Sequence, residues 1–353
     1  MSVWPEERIA TIDHFNTVDM TINVGPQHPA THGVFRMILT VDGELDANLL
    51  VDCHPYLGSP PRGLEKLTET PASRQSMGWW DRTDYLAGMA CEMAYCMAVE
   101  KIGNIEVPER AEYIRVMMVE LSRILSHFMF FGAFGAGVGS FGTSFIYAWR
   151  ERERIYDFFE EVAGDRMFPT YFRPGGVQMD LPDNYESRIR WLLGSIRQGL
   201  EDFDGLLTGN EIFVERCRDL SPVSQEDAIN WGLTGPMLRA TGLKWDLRKD
   251  EPYSIYPNLK FDIPTGAQGD VFDRFIVRMA EAWQSTLIVE QCLDMMPKGL
   301  VLNPDLPKTL RIDEGEAYVR TEGTKGEYGV YALAKGGNKP YRMKLRSPSF
   351  CNL

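Results

Sequence analysis

Two histidines, His28 and His32, stand in the stretch Gly25-Pro26-Gln27-His28-Pro29-Ala30-Thr31-His32-Gly33. The whole chain has five, so this one loop gathers imidazole on a backbone stiffened by proline and bracketed by glycine. Three readings are open. A metal is one, although no Asp, Glu or Cys lies close by in sequence to complete a ligand set. A tight loop whose imidazoles only bond its own backbone is the second. The third is a proton donor at a cavity wall, since an unperturbed imidazole titrates near neutrality.

A phenol is the next candidate. In Trp79-Trp80-Asp81-Arg82-Thr83-Asp84-Tyr85, Asp81 or Thr83 suits a helix cap and Asp84 suits the positive helix end. Tyr85 then falls in the first turns, as a core, rim or cavity residue. The run Arg150-Glu151-Arg152-Glu153-Arg154 reads as a solvated helix face laced with salt bridges. Six scattered cysteines without a CxxC argue against a zinc or iron–sulfur site in this chain and for buried, inert thiols. Gly175-Gly176 lies in a loop. No GxGxxG or GxxxxGK[ST] pattern marks a nucleotide site, and no GxSxG elbow marks a nucleophile.

These residues need a scaffold. Asp19–Gly25 and Val34–Val41 alternate apolar and polar residues on either side of the histidine loop, which predicts a hairpin. Ala47–Cys53 predicts a third strand. The period then turns helical, with helices expected over Arg82–Ile102, after Pro108, over Thr143–Val162, Asp183–Leu207 and Asp270–Met296. Tyr253–Ile263 reads as an irregular extended crossing. Strand-like alternation returns over Glu316–Arg346. The expected fold is α+β, with a β region over 1–60, a helical core over 61–300 and a C-terminal β region over 301–353. That last region ends abruptly after a strand, as a truncated chain would.

With 353 residues, 44% of them apolar, the chain can bury a large core. A net charge of -13 argues against nucleic acid and against anionic lipid as partners. The N-terminus lacks a signal pattern, and the apolar stretch Phe128–Gly142 is too short to span a bilayer. A cytoplasmic chain, with room for docking on a membrane partner, is the expectation.

Several segments in order resemble one family: INVGPQHPATHGVFR, RGLEKLTE, DRTDYLAGM, IRVMMVELSRILSH, FIYAWRERE, INWGLTGPMLRATGLKWDLRK, GDVFDRFIVR and YRMKLRSPSF. Together they are similar to the D, or 49 kDa-type, subunit of proton-translocating NADH:quinone oxidoreductase, respiratory complex I. The resemblance runs from about Val18 to Leu353. This family is in turn similar to the nickel–iron hydrogenase large subunit, whose paired CxxC ligands are missing here.

The resemblance implies a hydrogenase-type helix bundle whose metal pocket has become a quinone pocket. It implies that Tyr85 and His32 donate hydrogen bonds to the two quinone carbonyls, with His28 lining the cavity. Arg62 would lie beside a [4Fe–4S] cluster held by the neighbouring B (PSST-type) subunit, where a cation favours the reduced cluster. No cofactor is implied for this chain alone. The other implied partners are the C (30 kDa-type) and membrane-arm H subunits, on the cytoplasmic side of the inner membrane.

There are departures from the family pattern. Gly58-Ser59-Pro60-Pro61-Arg62-Gly63 stands for GYLHRG, Pro71 replaces an arginine, and Gly137 takes the place of an Asp that pairs with the loop histidine. An alternative therefore stays open: a divergent or truncated structural or assembly paralogue without full quinone reductase activity.

Overall fold

The computed structural model describes residues 19–27, 35–42, 50–57, 63–70, 75–140, 142–307 and 309–353. His28, His32, Arg62 and Pro71 lie outside the described residues. The chain divides into two compact units, Met1–Arg62 and Gly63–Leu353.

The first unit holds an antiparallel sheet in the order β1 (Met20–Val24), β2 (Arg36–Val41), β3 (Leu50–Tyr56). Register pairs Ile22 with Leu39 and Leu39 with Cys53. Alternation therefore gathers Ile22, Leu39, Val24 and Met37 on one face. The opposite face carries Arg36, whose Nε donates to Asn23 Oδ1 at 2.8 Å and whose guanidinium lies over the Tyr56 ring. The predicted hairpin and third strand are thus present, with β3 extended to Tyr56.

The second unit is built on five long helices: α1 (Gly88–Gly103), α2 (Glu109–Gly135), α3 (Thr143–Ala163), α4 (Tyr185–Phe203) and α5 (Val271–Met295). The α2 helix starts after Pro108, with Glu109 and Glu112 in its positive first turn. Asp270 caps α5 by accepting from the Asp273 N–H. A C-terminal sheet, β4 (Ile312–Gly323), β5 (Gly326–Gly337) and β6 (Arg342–Arg346), packs in the same unit. Phe128 and Phe131 of α2 meet Phe203 of α4 and Phe275 of α5 at the core. Helix and sheet together make a mixed α+β fold.

Helix α2 and its continuation, Glu109–Ser140, are long and apolar enough to cross a bilayer, yet 83% of the apolar window is buried inside the protein. It is a core helix here. The Tyr253–Ile263 crossing is irregular as expected, apart from a single 3-10 turn over Tyr256–Asn258.

Three expectations are corrected. The helix expected from Arg82 begins at Gly88. Gly88 presses on the preceding turn so closely that a Cβ there would lie 2.8 Å from the Asp81 carbonyl oxygen. Neither Asp81 nor Thr83 caps it, because both side chains are spent on other partners. Finally, the Arg150–Arg154 run is a solvated, salt-bridged face only in part: Arg150 is exposed and Glu153 and Arg154 half-buried, whereas Glu151 is 0% and Arg152 1% exposed.

Candidate functional site

The DRTDY segment forms a non-helical turn whose residues are tied inward one after another. Asp81 is buried and accepts from Arg82 Nη1 at 2.8 Å and from Thr170 Oγ1 at 2.8 Å. Burial raises its carboxyl, against the pull of Thr170 and Arg82. Arg82 also lies over the Phe168 ring. Thr83 Oγ1 donates to the Trp80 carbonyl at 2.6 Å and shares a 2.7 Å hydrogen bond with the Tyr328 hydroxyl. Asp84 takes Lys325 Nζ at 2.6 Å on both oxygens and caps the Leu86 N–H. Tyr85 is the exception, left 50% exposed. The phenol is thus presented to the surface on a firmly braced turn.

Behind the turn runs α3. The Arg152 guanidinium donates to the Tyr156 hydroxyl at 2.5 Å and to the Leu125 carbonyl, and stacks on Trp149 and Tyr156. Burial lowers its affinity for the proton, and the Tyr85 phenol is near enough to act on it electrostatically. Glu151 is held by Arg150, Arg154 and Ser195. Alternating charges are written alike for a solvated and for a buried face, so sequence did not separate the two.

Where α2 and α5 meet the turn between β4 and β5, there is a cluster of buried ions. Arg248 bridges Glu120 at 3.2 Å and Asp246 at 2.7 Å, while Arg239 bridges Glu281 at 2.7 Å and Glu322 at 2.8 Å. Arg123 donates to the Glu322 and Gly323 carbonyls. Tyr256 and Ser285 both donate to Glu120 at 2.7 Å. Burial alone would raise Glu120, but Arg123 and Arg248 overturn it and hold that carboxyl at about 2. Burial pushes His127 down to about 4, so it is neutral at physiological pH. Its Nε2 stands 3.1 Å from Glu281 Oε2 yet off the hydrogen-bonding axis. Glu120, Arg123 and His127 on one otherwise apolar helix were the sequence signal for this cluster.

Beyond α2, the π-type turn Ala136–Ser140 carries Gly137, where a Cβ would meet nothing within 4 Å. Among the described residues no group of three or more His, Cys, Asp or Glu could hold a metal. Burial also silences the thiols. Cys91, Cys96, Cys217 and Cys292 are buried, and Cys91 is pushed up to about 12.

The sequence matches the family model described as respiratory-chain NADH dehydrogenase, 49 Kd subunit, over residues 138–311 and 306–353. A protein of Carboxydothermus hydrogenoformans, named as the D subunit of NADH-quinone oxidoreductase, is 47% identical over 337 residues, 96% of this chain and 91% of its own. The chain belongs to this 49 kDa-type family. Proteins of the same name come from Desulforamulus reducens, 45% identical over 96% of this chain and 90% of its own, and from Magnetococcus marinus, 43% identical over 98% and 92%. As a member of the 49 kDa-type family, the chain is one component of an oxidoreductase complex. The DRTDY turn is what it brings to the candidate site among the described residues; the histidine loop and Arg62 lie outside them.

Proposed function

We propose that this chain forms the quinone site of an NADH:quinone oxidoreductase and protonates the quinone as it is reduced. Two-electron reduction places negative charge on both quinone oxygens, and each needs a donor within hydrogen-bond reach. Tyr85 supplies one donor and His32 the other, with His28 along the cavity wall. Electrons arrive from a [4Fe–4S] cluster in the B-type neighbour, beside which Arg62 lies. The C-type and membrane-arm H-type subunits complete the surroundings, with the chain peripheral on the cytoplasmic side of the inner membrane. The scaffold is of the hydrogenase large-subunit type, in the three regions 1–60, 61–300 and 301–353.

The observation that carries this reading is Tyr85: its turn neighbours Asp81, Thr83 and Asp84 are all bonded into the protein, and its own ring is half exposed. Such a turn costs little reorganisation when a ligand arrives. The test is Tyr85→Phe in the assembled complex. Quinone reductase activity should fall by about a hundredfold, the scale of one lost general acid, while electron transfer to an artificial acceptor upstream of quinone is kept. Unchanged quinone reduction would remove the basis of the proposal.

The structural or assembly reading has its own discriminating variant. Position 137 has room for a side chain, so Gly137→Asp should fold and should raise the rate if a missing acid limits turnover. A rate unaltered by Gly137→Asp would exclude that limit.

A further inference from the structure

Lys325 stands at the tip of the hairpin between β4 and β5, in the two-residue turn Thr324-Lys325 that joins Gly323 to its register partner Gly326. Both shoulders of that tip are fixed. On the β4 side, Arg123 holds the Glu322 and Gly323 carbonyls at 2.7 and 3.0 Å, and Arg239 holds the Glu322 carboxylate at 2.8 Å. On the β5 side, the Glu327 N–H donates to Thr234 Oγ1 at 3.0 Å. Gly326 packs so tightly there that a Cβ would lie 2.5 Å from the same oxygen. Asn352 Nδ2 donates to the Lys325 carbonyl at 2.8 Å. The backbone that carries Lys325 therefore has little room to move.

From this base the side chain reaches the turn that bears Tyr85. Its Nζ meets both oxygens of Asp84 at 2.6 Å, with the lysine side chain 31% and the aspartate 15% exposed. A pair so shielded holds its geometry better than one on open surface. Oδ1 of the same carboxylate accepts from the Leu86 N–H at 3.2 Å, and the Asp84 carbonyl accepts from the Ala87 N–H at 3.0 Å. Both bonds span Tyr85, so the Asp84 carboxylate closes the turn on which the phenol stands. The residue before it, Thr83, is tied to the same hairpin through the Tyr328 hydroxyl at 2.7 Å. One hairpin thus grips the two residues that precede Tyr85.

We propose that Lys325 is a positioning residue for Tyr85, fixing through the Asp84 carboxylate where the phenol is presented to the quinone. The inference rests on the reading of Tyr85 given above. Lys325 exchanges neither proton nor electron in the reaction. Its part is to keep the Asp84 carboxylate from swinging out to water and opening the turn. A donor displaced by about an ångström can lose about a hundredfold in rate, so a modest loosening of this turn is enough to be read in turnover.

The test is a pair of double-mutant cycles in the assembled complex. Quinone reduction is measured for K325M, K325R, D84N, Y85F, K325M/D84N and K325M/Y85F, beside electron transfer to an artificial acceptor upstream of quinone. K325M should lower kcat for quinone about tenfold with little change in KM, as a displaced transition-state donor does, and leave the upstream transfer intact. K325R, which keeps a cation within reach of Asp84, should recover most of the rate. D84N keeps an acceptor for the Leu86 N–H but gives up the ion pair. It should lose activity as K325M does, and K325M/D84N should be no worse than either. K325M should add nothing to Y85F. K325M or D84N at the wild-type rate, a loss that K325R does not recover, or losses that multiply in either double variant overturn the role of Lys325 while leaving that of Tyr85. A Y85F complex as active as the wild type overturns the functional reading itself. Should K325M fail to assemble, the nearly isosteric D84N carries the same expectation: a fall in kcat supports the proposal, and an unchanged kcat overturns it.

Discussion

Glu92 sits wholly inside α1, with Oε2 accepting from the Phe172 N–H at 2.8 Å and Oε1 without any partner. Burial raises its carboxyl to about 8, with Asp81 nearby adding to the rise. Glu92 is therefore largely protonated in the folded protein at neutral pH and ionised in the unfolded chain. The unfolded state binds fewer protons between about pH 4.5 and 8, so this residue erodes stability as pH rises through that window. Glu92→Gln should flatten the decline in melting temperature between pH 5 and 8; an unchanged slope would show that Glu92 is ionised in the fold. Position on the chain was no guide here, since Glu92 reads as one more polar residue on a helix. Tyr85 was legible because a motif carries it. Arg152 was not, for its burial depends on a partner helix. That partner is α2, whose Leu125 carbonyl Arg152 reaches, while its neighbour Glu151 is covered by α4, where a Cβ on Gly199 would lie 2.6 Å from Glu151 Cγ; no local pattern in α3 announces either.

Helices α2 and α3 cross at another glycine. A Cβ on Gly132 would lie 2.7 Å from the Ala148 Cβ and 3.2 Å from the Phe145 Cα, so the two backbones meet with only a hydrogen between them. Gly132→Ala should destabilise the protein by about 2 kcal/mol, as overpacking in a closed core does, despite the better helix propensity of Ala. Adding Ala148→Gly should recover most of the loss, and thermal melts of both variants decide it. An additive second loss would mean that the contact does not set the crossing. At this scale the long helices were readable from period and capping residues. Their ends were not, wherever a tertiary contact intervened: Gly88 packed on Asp81 delays the start of α1, and the π-type turn over Ala136–Ser140 follows α2 directly.

Across the whole second unit, the buried ions are the most demanding feature. Replacing Arg239 with Met would leave Glu281 and Glu322 without their guanidinium in a closed interior, and breaking such a pair costs about 3–5 kcal/mol. Arg239→Met should therefore lower the melting temperature markedly. A variant in which Arg239→Met is joined by Glu322→Gln should lose less than the two changes added separately, and simple additivity in denaturant titrations would argue that Arg239 and Glu322 are not coupled. Sequence showed that charges stood on apolar helices but not which ones would meet, because the partners lie far apart along the chain.

That separation governs how the unit must fold. Glu120 and Arg123 come from α2, Arg239 to Arg248 from a short-helix region, Glu281 from α5 and Glu322 from β4. A half-formed chain that had collapsed its apolar helices, but not yet brought in the C-terminal hairpin, would hold Arg123 and Arg239 in oil without their Glu322 and Gly323 acceptors. Such a halfway state is penalised by electrostatics instead of being rewarded by hydrophobic contact. The helices and the hairpin thus have to arrive together, and all-or-none assembly is written into where the charges fall.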